Sequence, residues 1–191
     1  MYGRVRAGEG ETAWNEWRRE RDELFAAHPP SALEPAERAG FTGLAYYPYD
    51  WAWRVTGRVT PAPQAPAPLG HSGPGETPFR RVAAVDFEVG GHAGTLPLHW
   101  LESYGGGIFL PFRDATTGTG TYGGGRYLLD TAKGADLGHE SDLIVLDFNY
   151  AYQPSCSYSA RWSCPLPPPD ATLGFAVQAG ERTPGSPPVG P

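Results

Sequence analysis

Lysine is almost missing from this chain of 191 residues: Lys133 is the only one among fifteen cationic side chains, and the rest are arginine. With 21 acidic residues the net charge is −6, so the chain has no electrostatic footprint for nucleic acid or for an anionic membrane surface. Long apolar runs are missing too. None approaches the ~18 residues of a membrane span, and the opening MYGRVRAGEGETAWNEW lacks the hydrophobic stretch of a signal peptide. A cytoplasmic location is the expectation. There are two cysteines, Cys156 and Cys164, with seven residues between them. Zinc sites use closer pairs and usually two of them, and a C-x-x-C redox centre is absent. The G-x-S-x-G of a serine hydrolase is absent, His139-Glu140 lacks the second histidine of H-E-x-x-H, and there is no EF-hand loop. Nothing calls for a metal or a cofactor.

What is present suits one domain. Hydrophobic residues make up 40% and aromatics 13%, enough for a core without disulfide or metal staples. Trp14, Trp17, Arg21, Leu24 and Phe25 fall at i, i+3, i+7 spacing, which predicts a helix from Thr12 to the stop at His28-Pro29-Pro30. Ser31-Ala-Leu-Glu34 is a capping-box pattern for a second short helix ending near Gly40. From Phe41 the period becomes two. Trp51, Trp53, Val55 and Val59 alternate with Arg54, Thr56 and Arg58, and further strands are expected at 83–89, 96–100, 108–112, 126–130, 142–149 and 173–177. Pro97 is expected at an edge or a bulge. Residues 1–11 are expected to be a flexible N-terminus, 12–182 a single β-rich domain, 61–78 a mobile Pro/Gly-rich loop within it, and 183–191 a disordered tail. The fold class is mainly β: an antiparallel β-barrel or sandwich with a short helical N-terminal flank.

Residues 118–123, GTGTYG, spell the G-x-G-x-x-G of a dinucleotide loop. That motif needs a following helix, whose N-terminus supplies the dipole and amides for the pyrophosphate. GGGRYLLD reads instead as a turn entering a strand, so the glycines are expected to serve the backbone. Around them lie Arg113, Asp114, Tyr122, Arg126 and Tyr127, a set that fits either a polar pocket binding an anionic group or an ion pair pinning a long turn. In DLIVLDFN, Asp147 and Asn149 continue a strand face that begins with Leu143 and Val145. A carboxylate there must be paired, with Arg113 or Arg126 as the expected partner. Cys156 and Cys164 are expected as two thiols in close proximity, with a disulfide or redox role as the alternative. His99 is the best-placed histidine for a base, against the plainer reading of a partly buried structural residue.

The blocks PFRDATTGTGTYGGGRYLLD, DFNYAYQPSCSY and CPLPPPD…AGE, with Trp17-Arg18, Arg21 and FTGLAYYP at 41–48, resemble the signature of a prokaryotic family of unknown function, DUF1684. The resemblance spans about residues 12–182. The family pattern has Asn where this chain has Gln153, and Glu-Asn where it has Asp170-Ala171. The resemblance implies a shared fold and a shared pocket, and brings no activity, substrate or cofactor.

Three functional readings follow. In the first, the chain is a binding domain for a small molecule, an anionic ligand among the candidates, held at the barrel mouth by Arg113, Tyr122, Arg126, Tyr127, Asn149 and Tyr152. In the second, it is a hydrolase or isomerase with Asp147 or Asp114 as the acid/base. In the third, these residues are structural and the function lies on an interaction surface.

Overall fold

Trp14 and Trp17 decide where the N-terminal helix goes. The computed structural model describes residues 2–7, 10–103 and 105–184. It has helices α1 (Tyr2–Ala7), α2 (Gly10–Ala27) and α3 (Pro35–Arg38). Residues 2–7 are thus helical, within the stretch expected to be a flexible N-terminus. Of that stretch, 1, 8 and 9 lie outside the described residues, as do 185–191 of the expected tail. Trp17 is fully buried and packs edge-on against Tyr150 at 5.0 Å, while the Trp14 indole Nε1–H donates to the Asn149 carbonyl at 2.8 Å. Arg21, one turn further along the same stripe, donates from Nη2 to Glu181 Oε2 at 2.7 Å and from Nε to the Tyr46 hydroxyl at 2.9 Å. Leu24 is exposed.

The second helix starts later than its apparent capping box. The box is formed by Glu34 and Glu37, with Pro35 in the first turn, where a fixed φ and a missing N–H cost nothing. Ser31 instead donates to the Phe25 carbonyl and accepts from Leu33 N–H, tying the link back to α2.

The strands are β1 (Arg54–Pro66), β2 (Leu69–Gly70), β3 (Glu76–Thr77), β4 (Phe79–Val89), β5 (His92–Leu101), β6 (Ile108–Phe112), β7 (Arg126–Asp130), β8 (His139–Glu140) and β9 (Leu143–Asp147). Among the described residues seven of them form one antiparallel sheet, in the order β7-β6-β5-β4-β1-β9-β8, curled into a half-barrel; β2 and β3 make a separate ribbon. The core fills the curl, with Val85, Leu96, Leu110, Phe112, Leu146 and Phe148 at its centre. Leu173 and Val177 join that core, but from irregular chain rather than the strand expected at 173–177. Their segment hydrogen-bonds to the continuation of β6, with Arg113 N–H donating to the Ala171 carbonyl at 2.8 Å and Leu173 N–H to the Arg113 carbonyl at 2.9 Å.

The run PAPQAP, expected as part of a loop, is the far half of β1. β9 pairs with β1 only over Arg54–Arg58, so beyond that point one flank of β1 is an edge. The ladder to β4 also breaks between Pro61 and Ala65. Proline is tolerated at edges and bulges because no donor is needed there. Pro97 follows the same rule from inside β5: β6 pairs only with His99 and Trp100, so no ladder is asked of Pro97 on that side.

Candidate functional site

The glycine-rich stretch leads into strand β7, not a helix, and its polar residues are consumed internally. Asp114 Oδ1 accepts from Thr116 N–H (2.7 Å), the Thr116 hydroxyl (2.6 Å) and Val177 N–H (3.2 Å). Its Oδ2 accepts from Arg126 Nη2 at 2.8 Å, and both side chains are buried. Arg126 also donates to the carbonyls of Val177, Ala179 and Glu181, and lies over the Phe112 ring. The guanidinium therefore ties the C-terminal segment to the start of β7. Arg113 points elsewhere, donating to the Pro167 carbonyl.

Asp147 ends β9 and caps the turn Phe148–Tyr150, accepting from Asn149 N–H at 3.1 Å and Asn149 Nδ2 at 2.8 Å. Its charged partner is Arg54 at 3.1 Å, which corrects the expectation of Arg113 or Arg126. The reason is register: β1 and β9 pair antiparallel with Arg54 opposite Asp147. Burial pushes the Asp147 carboxyl above the usual range, against the pull of Asn149 and Arg54. Asn149 does not continue the strand face, because the strand stops at Asp147. It acts as a surrogate peptide, accepting from Asp50 N–H and donating to the Asp50 carbonyl.

The predicted site residues thus fall into separate groups. Asp114 meets Arg126, and Asp147 meets Asn149. Tyr127 packs edge-on against Tyr152 at 5.6 Å, and the Tyr152 hydroxyl reaches Asp130 at 3.4 Å. Tyr122, held by Gln153 through its N–H, places its phenol 3.7 Å from the Cys156 sulfur. Among the described residues Asp114, Arg126, Asp147 and Asn149 line neither of the cavities next described.

Two cavities take Tyr122 and Tyr127, while Arg113 and Tyr152 line neither. One, of about 430 Å³, lies between the 40–44 segment and Tyr122, Gln153 and Tyr158. The other, of about 230 Å³, is more enclosed and better differentiated. Its floor is Phe79, Leu101, Phe109 and Tyr127, with Phe79 and Phe109 stacked at 5.0 Å and Tyr127 edge-on to Phe109 at 4.7 Å. On its rim, His71 contacts the Ser163 hydroxyl through Nδ1 (3.1 Å) and the Thr77 hydroxyl through Nε2 (2.7 Å). Across from them Lys133 bridges to Asp130 at 2.7 Å. Sequence reasoning found Tyr127 of this set and missed His71, Asp130, Ser163 and the phenylalanines, because five separate chain segments supply them. The one available signal was Lys133, the chain's single lysine. Among the described residues no three His, Cys, Asp or Glu side chains are grouped to hold a metal, and no helix is long and apolar enough to cross a membrane.

His99 is more deeply buried than the plainer reading had it. It is buried on β5, edge-on to Phe79 at 6.3 Å, with no partner on Nδ1. Burial pulls it down to about 4, against the Asp170 carboxylate and with the help of Arg81. The folded value lies below the unfolded one, so the unfolded chain takes up the proton first as pH falls. Stability is full above about pH 6.5 and is lost from there toward pH 4, by about 3 kcal/mol in all. His99→Gln removes this dependence. The difference between the two proteins in urea unfolding across that range isolates it from the carboxylates.

A family model for a protein of unknown function, DUF1684, matches residues 39–182. The solution NMR structure of an uncharacterised protein from Haloarcula marismortui is 39% identical, covers 91% of this chain and 94% of its own, and superposes with a TM-score of 0.67. No curated protein matches the chain.

Proposed function

The chain belongs to the DUF1684 family, and for this member we propose that it binds a small organic anion, a planar apolar body carrying one acidic group, in the cavity over Phe79 and Phe109. The observation that carries the proposal is the cavity's division of labour. An aromatic floor faces a rim holding an imidazole, two hydroxyls and the chain's single ammonium. That pairing of apolar walls with a few converging polar groups is the usual make-up of a small-molecule site. The volume of about 230 Å³ is that of roughly eight waters, which sets the ligand at the size of a small metabolite. The stacked rings offer a face to a planar group, and Lys133, beside Asp130, takes the acid at the open end. Binding is favoured over acid/base chemistry by Asp114 or Asp147 because those carboxylates already accept three or four hydrogen bonds each, including one from an arginine.

Thermal-shift and calorimetric titration with a panel of small aromatic and aliphatic carboxylates tests the reading. At least one aromatic carboxylate should saturate and raise the melting temperature, as expected of a ligand specific for the folded state. Lys133→Ala should weaken it about tenfold without changing the unliganded melting temperature, since the lysine side chain is 61% exposed. Lys133→Arg should retain it. A panel without a saturating ligand, or equal affinity in Lys133→Ala, sinks the proposal.

A further inference from the structure

His71 and Ser163, from two distant parts of the chain, meet on the cavity rim because the backbone around them is in register. His71 follows β2 in the β2–β3 ribbon, Thr77 ends the return strand, and the chain at 163–166 runs alongside. His71 stands opposite Pro165 in an antiparallel bridge. On one side of it Leu166 N–H donates to the Gly70 carbonyl at 2.9 Å, and on the other Ser72 N–H donates to the Cys164 carbonyl at 2.9 Å. Cys164 N–H donates in turn to the Ser72 hydroxyl oxygen at 3.2 Å. These bonds bracket His71, so the placement of Ser163 beside its ring is set by the main chain.

His71 Nδ1 lies 3.1 Å from Ser163 Oγ, and Nε2 lies 2.7 Å from Thr77 Oγ1. With the ring proton on Nε2 and donated to Thr77, Nδ1 turns its lone pair to the Ser163 hydroxyl. The other acceptor near that hydroxyl, the Pro74 carbonyl, is at 3.5 Å and too long to compete. A hydroxyl, a base within hydrogen-bond reach and a third group that orients the base are the parts of an activated serine. Ser163 is exposed, and the neighbouring Gly73 keeps its oxygen open to approach: a Cβ there would lie 3.2 Å from Oγ. His71, Thr77, Ser163 and Lys133 all border the aromatic cavity.

We propose that Ser163 is the nucleophile and His71 the general base of an esterase site whose substrates are simple esters of small aromatic carboxylic acids. The choice of substrate rests on the reading of the cavity as a site for a planar organic anion, which then becomes the product. Nδ1 of His71 takes the Ser163 proton as Oγ attacks the ester carbonyl carbon, and the charge that develops on the carbonyl oxygen has the Lys133 ammonium on the same cavity to meet it. When the carbonyl re-forms, its bond to the alkoxy oxygen breaks, and that oxygen leaves as the alcohol with the proton from Nδ1. Water then gives a proton to Nδ1 and attacks the acyl carbon, and Ser163 Oγ leaves with that proton. One ester and one water become one alcohol and one carboxylic acid, which ionises. Thr77 is a positioning residue: it holds the ring and its tautomer and touches no reacting atom.

The test uses the full chain with p-nitrophenyl benzoate at pH 7 and, separately, with diisopropyl fluorophosphate followed by peptide mapping. The wild type should turn the ester over, and the fluorophosphate should label Ser163 and stop turnover. Ser163→Ala and His71→Ala should each lose at least about a hundredfold in rate. Thr77→Val should lower kcat about tenfold at unchanged KM, and Thr77→Ser should restore it. The labelling needs no variant to fold. A wild type left unlabelled, a label on the free thiol of Cys164 next door in place of Ser163, or Ser163→Ala that keeps wild-type turnover overturns the proposal. Titration with benzoate separates this inference from the one beneath it. Benzoate that binds while its ester stays intact sinks the esterase and leaves the binding site standing. A labelled Ser163 that cleaves p-nitrophenyl acetate, in a protein that binds no aromatic carboxylate, sinks the binding reading and the aromatic substrate and keeps Ser163 as the nucleophile.

Discussion

Arg126→Met should lose about 4 kcal/mol of folding stability with no ligand present. Methionine keeps most of the volume and the contact with Phe112, so the packing change is small. What disappears is the donor set. The Asp114 carboxylate is left buried without its cation, and the carbonyls of Val177, Ala179 and Glu181 lose the donor they share. Breaking a buried pair from one side costs about 3–5 kcal/mol because the other charge stays behind. A domain of this size holds roughly 5–15 kcal/mol in total, so the variant should unfold at a much lower urea midpoint. Adding Asp114→Asn to it should recover part of the loss, since the stranded charge goes, although the carbonyls of Val177, Ala179 and Glu181 still lack their donor. A loss under about 1 kcal/mol in the single variant would show that the guanidinium is not the pin described above.

The sequence made the sheet legible where alternation and composition agree. Ile108–Phe112 and Arg126–Asp130 occur as strands at the expected residues, and the class, mainly β with a helical N-terminal flank, follows from such segments. The misreadings share one physical source: the deciding partner is remote in the chain. Proline content marked 61–66 as loop, yet its conformation is decided by where β9 stops pairing with β1. Arg21 sits on the apolar stripe of α2 because Glu181, 160 residues away, waits for it in the interior. Asp147 was legible as a buried carboxylate in need of a cation, but its partner is fixed by a cross-strand register that no local pattern encodes. The cavity is the extreme case. Phe109 and Tyr127 were legible as strand residues, Phe79 begins β4 ahead of the strand expected from Ala83, and only the curl of the sheet turns all three toward His71, Ser163 and Lys133.

Gly118 and Gly125 should respond very differently to the same substitution, and the contrast tests what the glycine-rich stretch is for. Both have left-handed backbones, φ +83° and +91°. An added Cβ at Gly118 meets nothing within 4 Å, so Gly118→Ala should cost only the conformational penalty, about 1–2 kcal/mol. At Gly125 the same atom would lie 2.6 Å from the Phe112 carbonyl oxygen and 2.7 Å from Pro167 Cγ. The first belongs to β6, whose ladder with β7 begins at the next residue, Arg126. The second belongs to the proline segment, which is tied down by Arg113 on Pro167 and by the Tyr127 hydroxyl on Pro165. Neither neighbour has room to give, so overpacking adds about 1–3 kcal/mol. Gly125→Ala should therefore lose about 3–4 kcal/mol in all, and hydrogen exchange at Leu166, whose amide holds Gly70, should speed up with it. A dinucleotide loop would reverse the ranking of the two positions. There the glycines of the motif, Gly118 among them, would carry the function through close approach to a phosphate, and Gly125, outside the motif, would be the dispensable one. Equal costs at the two positions would remove the close approach of the proline segment as the reason for glycine at 125.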